Sequence, residues 1–306
     1  MKKRISLNVL VVFLLAASIL PINVKAAGIH YAALGDSLAA GQTPHKEIGV
    51  SYTDLIAIAL QQNGQLSSFS KELAFPGYST EQVLKQLEKK EAQAVIRQAN
   101  LITISAGAND VLPLIQNDAV RGMLSYEAIP VSFALNRVRK NYINIFEKVK
   151  EINPHAQVYA IGYYFPYPHV KDGQKPSVAG QLDLLNKIIK QEAEKAGAYF
   201  VPVAGRFGTN ADSLIPNPGD VHPALSGYLE MANSFLQVYA PGSPSIPSSI
   251  LSQLPAPIPF SKLKKVQPAQ SEKQKPAEKE EKQKKRTTDQ TAASETVKGC
   301  KRGEYM

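Results

Sequence analysis

The chain has 306 residues, one cysteine and a formal charge of +9. That charge sits at the ends: Lys2, Lys3, Arg4 and Lys25 supply +4, residues 261–306 carry 13 basic against 7 acidic side chains, and Ala27 to Phe260 hold 18 basic and 19 acidic ones. A nearly neutral body gives no basis for nucleic acid as a partner, and the lone Cys300 excludes an intrachain disulfide, so the fold must rest on packing.

Residues 1–26 open with three basic side chains, continue through an apolar run from Val9 to Leu20 and end in small residues at Ala26. This is the pattern of a secretory signal peptide. The run is shorter than the roughly 20 apolar residues a spanning helix needs, and Pro21 interrupts it. The protein is therefore expected outside the cytoplasm, extracellular or associated with the cell wall.

Residues 27–242 read as one α/β domain. Ile29 to Leu34 is an apolar strand entering Gly35, and Ser51 to Gln62 has the apolar spacing of a buried helix face. Phe69 to Phe75 is a weaker strand that ends at Pro76-Gly77. Ser79 with Gln82 predicts a capped helix to about Lys90, and a second helix covers about Glu91 to Ala99. Leu101 to Ser105 is the clearest strand, followed by Gly107. A long helix over Val131–Ile152 leads to strand Val158–Ile161, a Tyr- and Pro-rich loop to Pro176, a helix over Ala179–Ala196, strand Tyr199–Val203 and a last helix over Ala224–Tyr239. Alternating strands and helices imply parallel pairing through right-handed crossovers. The expected architecture is a three-layer α/β/α domain, a doubly wound five-stranded parallel sheet in the order 2-1-3-4-5.

In that order Gly35-Asp36-Ser37, Gly77 and Gly107-Ala108-Asn109-Asp110 follow three adjacent strands, and Asp220-Val221-His222 lies beyond the fifth, where its loop must fold back over the crevice. A serine hydroxyl needs a neighbouring base, and a neutral imidazole suits the task near neutral pH. Ser37 is the candidate nucleophile and His222 the candidate base. The N–H groups of Ser37 and Gly77 with the side-chain amide of Asn109 are candidate donors to an oxyanion, Gly77 admitting close approach of the backbone. Taken singly, Gly-Asp-Ser is an ordinary turn composition; the joint occurrence of the four segments carries the chemistry. Asp36 is read as structural, Asp110 as a cap of the helix that follows it, Ser79 as a helix cap and Ser105 as satisfying local backbone.

These residues resemble a known family. Tyr31-Ala32-Ala33-Leu34-Gly35-Asp36-Ser37-Leu38, Gly77, Gly107-Ala108-Asn109-Asp110 and Asp220-Val221-His222-Pro223 look like the four blocks of the GDSL, or SGNH, hydrolases, over about Ile29 to Tyr239. The resemblance implies a flavodoxin-like fold and a secreted lipase- or esterase-type enzyme that cleaves carboxylic esters through an acyl-enzyme. It also implies nucleophile Ser37, base His222, an oxyanion hole of Ser37, Gly77 and Asn109, and no cofactor or metal. One position departs: the family places its acid three residues before the histidine, where this chain has Gly219. Either Asp220, two before, orients His222 through a shifted loop, or a backbone carbonyl does so in a Ser-His dyad.

The expected substrates are lysophospholipid or other lipid esters, or an O-acetylated cell-wall glycan. The alternatives are an acyltransferase or thioesterase using the same residues, and a noncatalytic binding module attached to the envelope. His30 and His155 are read as structural, while His45 and His169 fall in loops expected near the crevice. The aromatic run Tyr163, Tyr164, Phe165 and Tyr167 fits either loop packing or an acyl-pocket wall. Residues 243–306, Pro- and Ser-rich and then Lys- and Glu-rich, read as a tail, disordered from Ser261 and able to make weak contacts with an anionic surface.

Overall fold

The computed structural model describes residues 28–263, so the signal-peptide expectation for residues 1–26 and most of the tail, Cys300 included, lie outside the described residues. Two compact units divide at Pro257/Ile258. Of the second unit the described part is the extended pair Ile258–Pro259 and a helical turn at Phe260–Leu263.

The first unit is built on five parallel strands: β1 (Ile29–Gly35), β2 (Leu66–Ala74), β3 (Leu101–Ser105), β4 (Gln157–Ile161) and β5 (Tyr199–Val201). Their spatial order is β2-β1-β3-β4-β5, as the sequence predicts. The central strands β1 and β3 are buried through Tyr31–Gly35 and Leu101–Ser105, because helices cover both faces of a parallel sheet and leave no alternation of exposed residues. Edge strand β2 exposes much of its length and pairs with β1 through two register shifts.

Around the sheet lie α1 (Ser37–Ala40), α2 (Tyr52–Gln62), α3 (Thr80–Gln86), α4 (Lys90–Gln98), α5 (Ala108–Val111), α6 (Ala128–Ile152), α7 (Lys175–Ala196), α8 (Ala204–Phe207) and α9 (Leu225–Tyr239). Several boundaries differ from the sequence reading for identifiable reasons. Helices α6 and α7 begin earlier than predicted because Pro130 and Pro176 fall in their first turns, where a missing N–H has no intrahelical partner to lose. Helix α3 stops at Gln86 because Leu87, Glu88 and Lys89 donate to carbonyls three residues back, tightening the chain into 3₁₀-like turns. Strand β5 ends at Val201 and gives way to α8, which the sequence reading missed. Also missed is an antiparallel hairpin, Ile115–Asp118 with Met123–Tyr126, whose four-residue strands are too short for a periodic signal.

The domain boundary moves as well. The segment after Gly242, grouped with the tail on its composition, belongs to the first unit as far as Pro257. Asn233 holds the Ile246 backbone through both its amide groups, and Ile246 and Ile250 are buried in the main core. Two apolar anchors suffice to order a Pro- and Ser-rich stretch that composition alone marks as loop.

Glycine at position 35 is a geometric requirement. Its φ is +136°, and a Cβ there would fall 2.0 Å from the Ser105 carbonyl oxygen of the adjacent strand. At Gly64, by contrast, φ is +66° with nothing within 4 Å of an added Cβ. Gly64→Ala should cost about 1–2 kcal/mol for the left-handed backbone alone, and Gly35→Ala roughly 3 kcal/mol or more because backbone must also move. Equal losses in urea unfolding would overturn this account of the β1 terminus.

Candidate active site

The crevice opens where β1, β2 and β3 end. Asp36 follows β1 and caps α1, its Oδ1 accepting the N–H of Leu38 at 3.0 Å, and Ser37 becomes the first residue of the helical turn. The hydroxyl of Ser105 donates to the same Asp36 oxygen at 3.0 Å, and the Tyr163 phenol donates to Oδ2 at 2.6 Å. Asp36 is 1% exposed, so burial pushes its carboxyl above the ordinary value against the opposing pull of these donors. Burial also lifts the Tyr163 phenol well above its usual range, keeping it a proton donor. Ser105 thus bonds the Asp36 carboxylate through its side chain, not local backbone as the sequence reading had it.

Ser37 Oγ lies 2.8 Å from His222 Nε2, and Asp220 Oδ1 lies 2.6 Å from His222 Nδ1. The same Asp220 oxygen accepts the His222 backbone N–H at 2.8 Å. A carboxylate two residues before the histidine therefore folds back on its own backbone in an Asx-type turn and still reaches the ring. Asp220, not a carbonyl, meets Nδ1. Burial alone would raise the Asp220 carboxyl, but the hydrogen bonds and charge of His222, with Lys46 nearby, hold it below its ordinary value. An ionised Asp220 accepts Nδ1–H, which leaves the Nε2 lone pair to accept the Ser37 hydroxyl proton.

The loop carrying His222 is tied down at several points. Tyr164 donates its phenol to the Val221 carbonyl at 2.8 Å, Ala224 N–H to Leu214 O at 2.8 Å, and the Asn217 and Asn117 amides donate to the carbonyls of Pro44 and Pro218. Sequence reasoning missed these anchors and also missed Gln42, whose amide reaches within 3.3 Å of His222 Nδ1 while Tyr228 fixes its carbonyl at 2.6 Å. Since Nδ1–H is committed to Asp220, the compatible face of that amide is its oxygen. No sequence spacing flags these contacts, because their partners lie far apart along the chain.

Gly77 is the third residue of a turn closed by Tyr78 N–H to Phe75 O at 3.2 Å, with φ +82° after Pro76, the pattern of a type II turn. A Cβ at Gly77 would meet nothing within 4 Å, so the turn conformation, not crowding by protein, calls for glycine. Asn109 donates one amide proton to Tyr78 O at 3.0 Å, leaving the second for the crevice. Ser37, Gly77, Asn109 and His222 all line one crevice of about 210 Å3. Its helical-terminus donor at Ser37 N–H has no partner within α1.

Other expectations are revised. Asp110 does not cap the helix after it; it accepts Thr80 N–H at 2.8 Å and Thr80 Oγ at 2.9 Å, holding the start of α3, while Gln82 Oε1 accepts Ser79 N–H at 2.9 Å. His45 and His169 do not line the crevice: His45 is exposed, and His169 Nε2 sits 2.7 Å from Ile215 O. His30 meets Ser68 and His155 stands exposed in its turn. The aromatic run divides: Tyr163 and Tyr164 line the crevice, whereas Phe165 and Tyr167 pack into a second apolar cluster with Leu124, Val170 and Val178.

Residues 33–229 match the model of the GDSL-like Lipase/Acylhydrolase family. The chain belongs to that family. It is 25% identical over 209 residues to the uncharacterized protein YpmR of Bacillus subtilis, covering 67% of this chain and 79% of YpmR. Among solved structures it resembles the lipase Lip_vut3 from a goat rumen metagenome, with a TM-score of 0.54, 22% identity and coverage of 69% and 96% of the two chains. It also resembles the acetylxylan esterase Axe2 of Geobacillus stearothermophilus, with a TM-score of 0.51, 19% identity and coverage of 72% and 98%. The shared fold is the five-stranded α/β architecture of this hydrolase family.

Because Tyr163 lowers the Asp36 carboxyl by donating to it, Tyr163→Phe should cost about 1.5–3 kcal/mol, the usual loss of a bond to a charged group. Removing that donor raises the folded-state value of Asp36 further. The loss should therefore be full where Asp36 is ionised and shrink as falling pH protonates it. A stability difference that stays constant with pH would show that the phenol does not act through the carboxylate.

Proposed function

We propose that this protein is a serine carboxylic ester hydrolase that works through an acyl-enzyme on Ser37. The observation that carries the reading is the unbroken relay from Ser37 Oγ to His222 Nε2 at 2.8 Å and from His222 Nδ1 to Asp220 at 2.6 Å, opening into a crevice. His222 takes the Ser37 proton as Oγ bonds the ester carbonyl carbon, and Asp220 steadies the imidazolium that forms. The carbonyl oxygen becomes an oxyanion facing the N–H groups of Ser37 and Gly77 and the free amide proton of Asn109. The intermediate collapses, the C–O bond to the alcohol breaks, and His222 returns its proton to the departing alkoxide. Water then repeats the sequence, with His222 first as base and then as acid, releasing the carboxylic acid and restoring Ser37.

A noncatalytic binding module has no need of a hydroxyl aligned on an imidazole that is itself aligned on an ionised carboxylate. Acyl transfer to an acceptor other than water uses the same residues and differs only in the second half-reaction. Lipase and acetylxylan esterase, the activities carried in the names of the structural relatives, are both ester hydrolyses.

Ser37→Ala and His222→Ala should each lower kcat by several orders of magnitude, since the members act as a unit. Asp220→Asn should lower it by up to about 10,000-fold, and Asn109→Ala by roughly 100- to 1,000-fold. Initial rates on a panel of p-nitrophenyl esters, with circular dichroism to confirm folding, measure these losses. Near-wild-type hydrolysis by Ser37→Ala would end the proposal, and a loss below tenfold in Asp220→Asn would reduce the relay to a dyad.

We further propose that residues 1–26 direct export and that the Lys-rich tail holds the mature protein weakly on an anionic envelope surface. Many cations on a polar segment favour contacts that fade as salt shortens the Debye length. In pull-down on purified bacterial walls, the mature chain should bind better at low salt than a chain ending at Ser261, and lose that advantage at about 0.5 M salt. Equal retention at low salt would rule out an attaching role.

A further inference from the structure

One arm of the crevice is apolar and made by elements that the Ser37–His222–Asp220 relay does not use. Val178, Leu182 and Leu185 fall at i, i+4 and i+7 on α7 and turn a single stripe into the crevice. Leu112, Ile115 and Pro166 extend the wall, Ile115 arriving on the antiparallel hairpin, and the one polar side chain on this stretch of α7 that lines it, Gln181, donates its amide to the Tyr126 phenol at 3.2 Å. That hairpin is seated by the second apolar cluster, in which Leu124, Phe165, Tyr167, Val170 and Val178 pack together with Leu112, Ile115 and Leu182 against them. A Cβ at Gly107 would stand 3.2 Å from Leu185, so the glycine beside Asn109 leaves this residue its place in the wall.

The lining also lacks what other ligands would need. No Lys or Arg is among the residues lining the crevice, and the one carboxylate there, Asp36, is spent on three donors. An anionic group inside would have no cation to meet. A pyranose ring would look for an exposed aromatic face, but Tyr163 and Tyr164 are buried, their phenols are committed to Asp36 and Val221, and the Tyr164 ring is stacked on Phe207 at 4.3 Å. From Val178 to Leu185 the helix rises about 10 Å, the reach of an extended chain of roughly eight carbons.

We propose that this arm is an acyl-chain subsite and that the protein's substrate is an ester of an unbranched, uncharged medium-length fatty acid, not an acetyl ester. The inference rests on Ser37 as the acyl acceptor. With the carbonyl carbon at Ser37 Oγ and its oxygen toward Asn109, the chain runs along α7 while the alcohol leaves through the mouth of the crevice. Each methylene laid on the wall leaves water, and the transition state gains that burial along with the bound ester.

The test uses the full mature chain and p-nitrophenyl acetate, butyrate, hexanoate and octanoate. The apolar transfer of one methylene corresponds to about fourfold in kcat/KM, so octanoate should exceed acetate by roughly 100-fold or more once incomplete contact is allowed for. Leu182→Trp, which fills the arm, should shift the best substrate toward butyrate. Acetate turned over as well as octanoate, or a chain-length profile indifferent to Leu182→Trp in a folded variant, would overturn the subsite. Binding without turnover separates the two proposals: in Ser37→Ala protein, methyl octanoate should shift the methyl NMR signals of Leu182 and Leu185 where equal methyl acetate does not. Methyl octanoate shifts with no ester cleaved by the wild type would sustain the subsite and sink the hydrolase reading. Brisk cleavage with acetate preferred would do the reverse.

Discussion

The buried carboxylate of Asp36 is the interaction on which the rest of the site depends. It gathers a backbone N–H from α1, a hydroxyl from the end of β3 and a phenol from the segment after β4. Three chain segments far apart in sequence are thereby fixed to the residue immediately before Ser37. Burying such a group is costly, and the donors offset the desolvation only when all three elements hold their places. The arrangement is therefore a geometric lock as much as a source of stability. Removing one donor leaves the buried carboxylate short of a partner, at the cost of a bond to a charged group, and loosens the hold of the other two.

The sheet supplies the frame on which that lock acts. Strand order β2-β1-β3 brings three strand ends side by side at the switch point, and each is followed by a backbone conformation that only glycine tolerates well. Gly35 makes room for the Ser105 carbonyl, Gly77 forms its turn and Gly107 leads into α5 beneath Leu185. The tight turns keep Ser37, Gly77 and Asn109 close to the rigid sheet, on one crevice. His222 comes from the other direction, on a loop held by Tyr164, Asn117 and Asn217, so its imidazole is positioned by the crevice wall and not by a strand.

Polar precision on one side of the crevice is matched by apolar packing on the other. The main core is formed by the sheet and the helices that cover its two faces, and a smaller cluster around Phe165 and Tyr167 builds the far wall from a hairpin and the first turns of α7. The aromatic run after β4 serves both: Tyr163 and Tyr164 line the crevice, and Phe165 and Tyr167 join the second cluster. Its chemistry is divided by direction, since Tyr163 and Tyr164 have hydrogen-bond partners for their phenols while Phe165, which needs none, fills space.

The sequence by itself determined the architecture and marked the four segments that meet at the crevice. Strand order follows from alternation and crossover handedness, which act locally, and the turn and crevice residues are contiguous enough to read as motifs. The pairing of Asp220 with His222 was left open by the sequence, because a shift of one residue is decided by how a loop folds back on itself, as was the division of the aromatic run. Asp110, read as a local cap, turned out to hold a helix 30 residues away. The hairpin, the ordered stretch to Pro257 and the anchors on the His222 loop were decided by tertiary structure alone. Each depends on contacts between residues distant in the chain, such as Tyr164 with Val221 or Asn233 with Ile246, and local propensity holds no record of a partner that arrives only when the chain has folded.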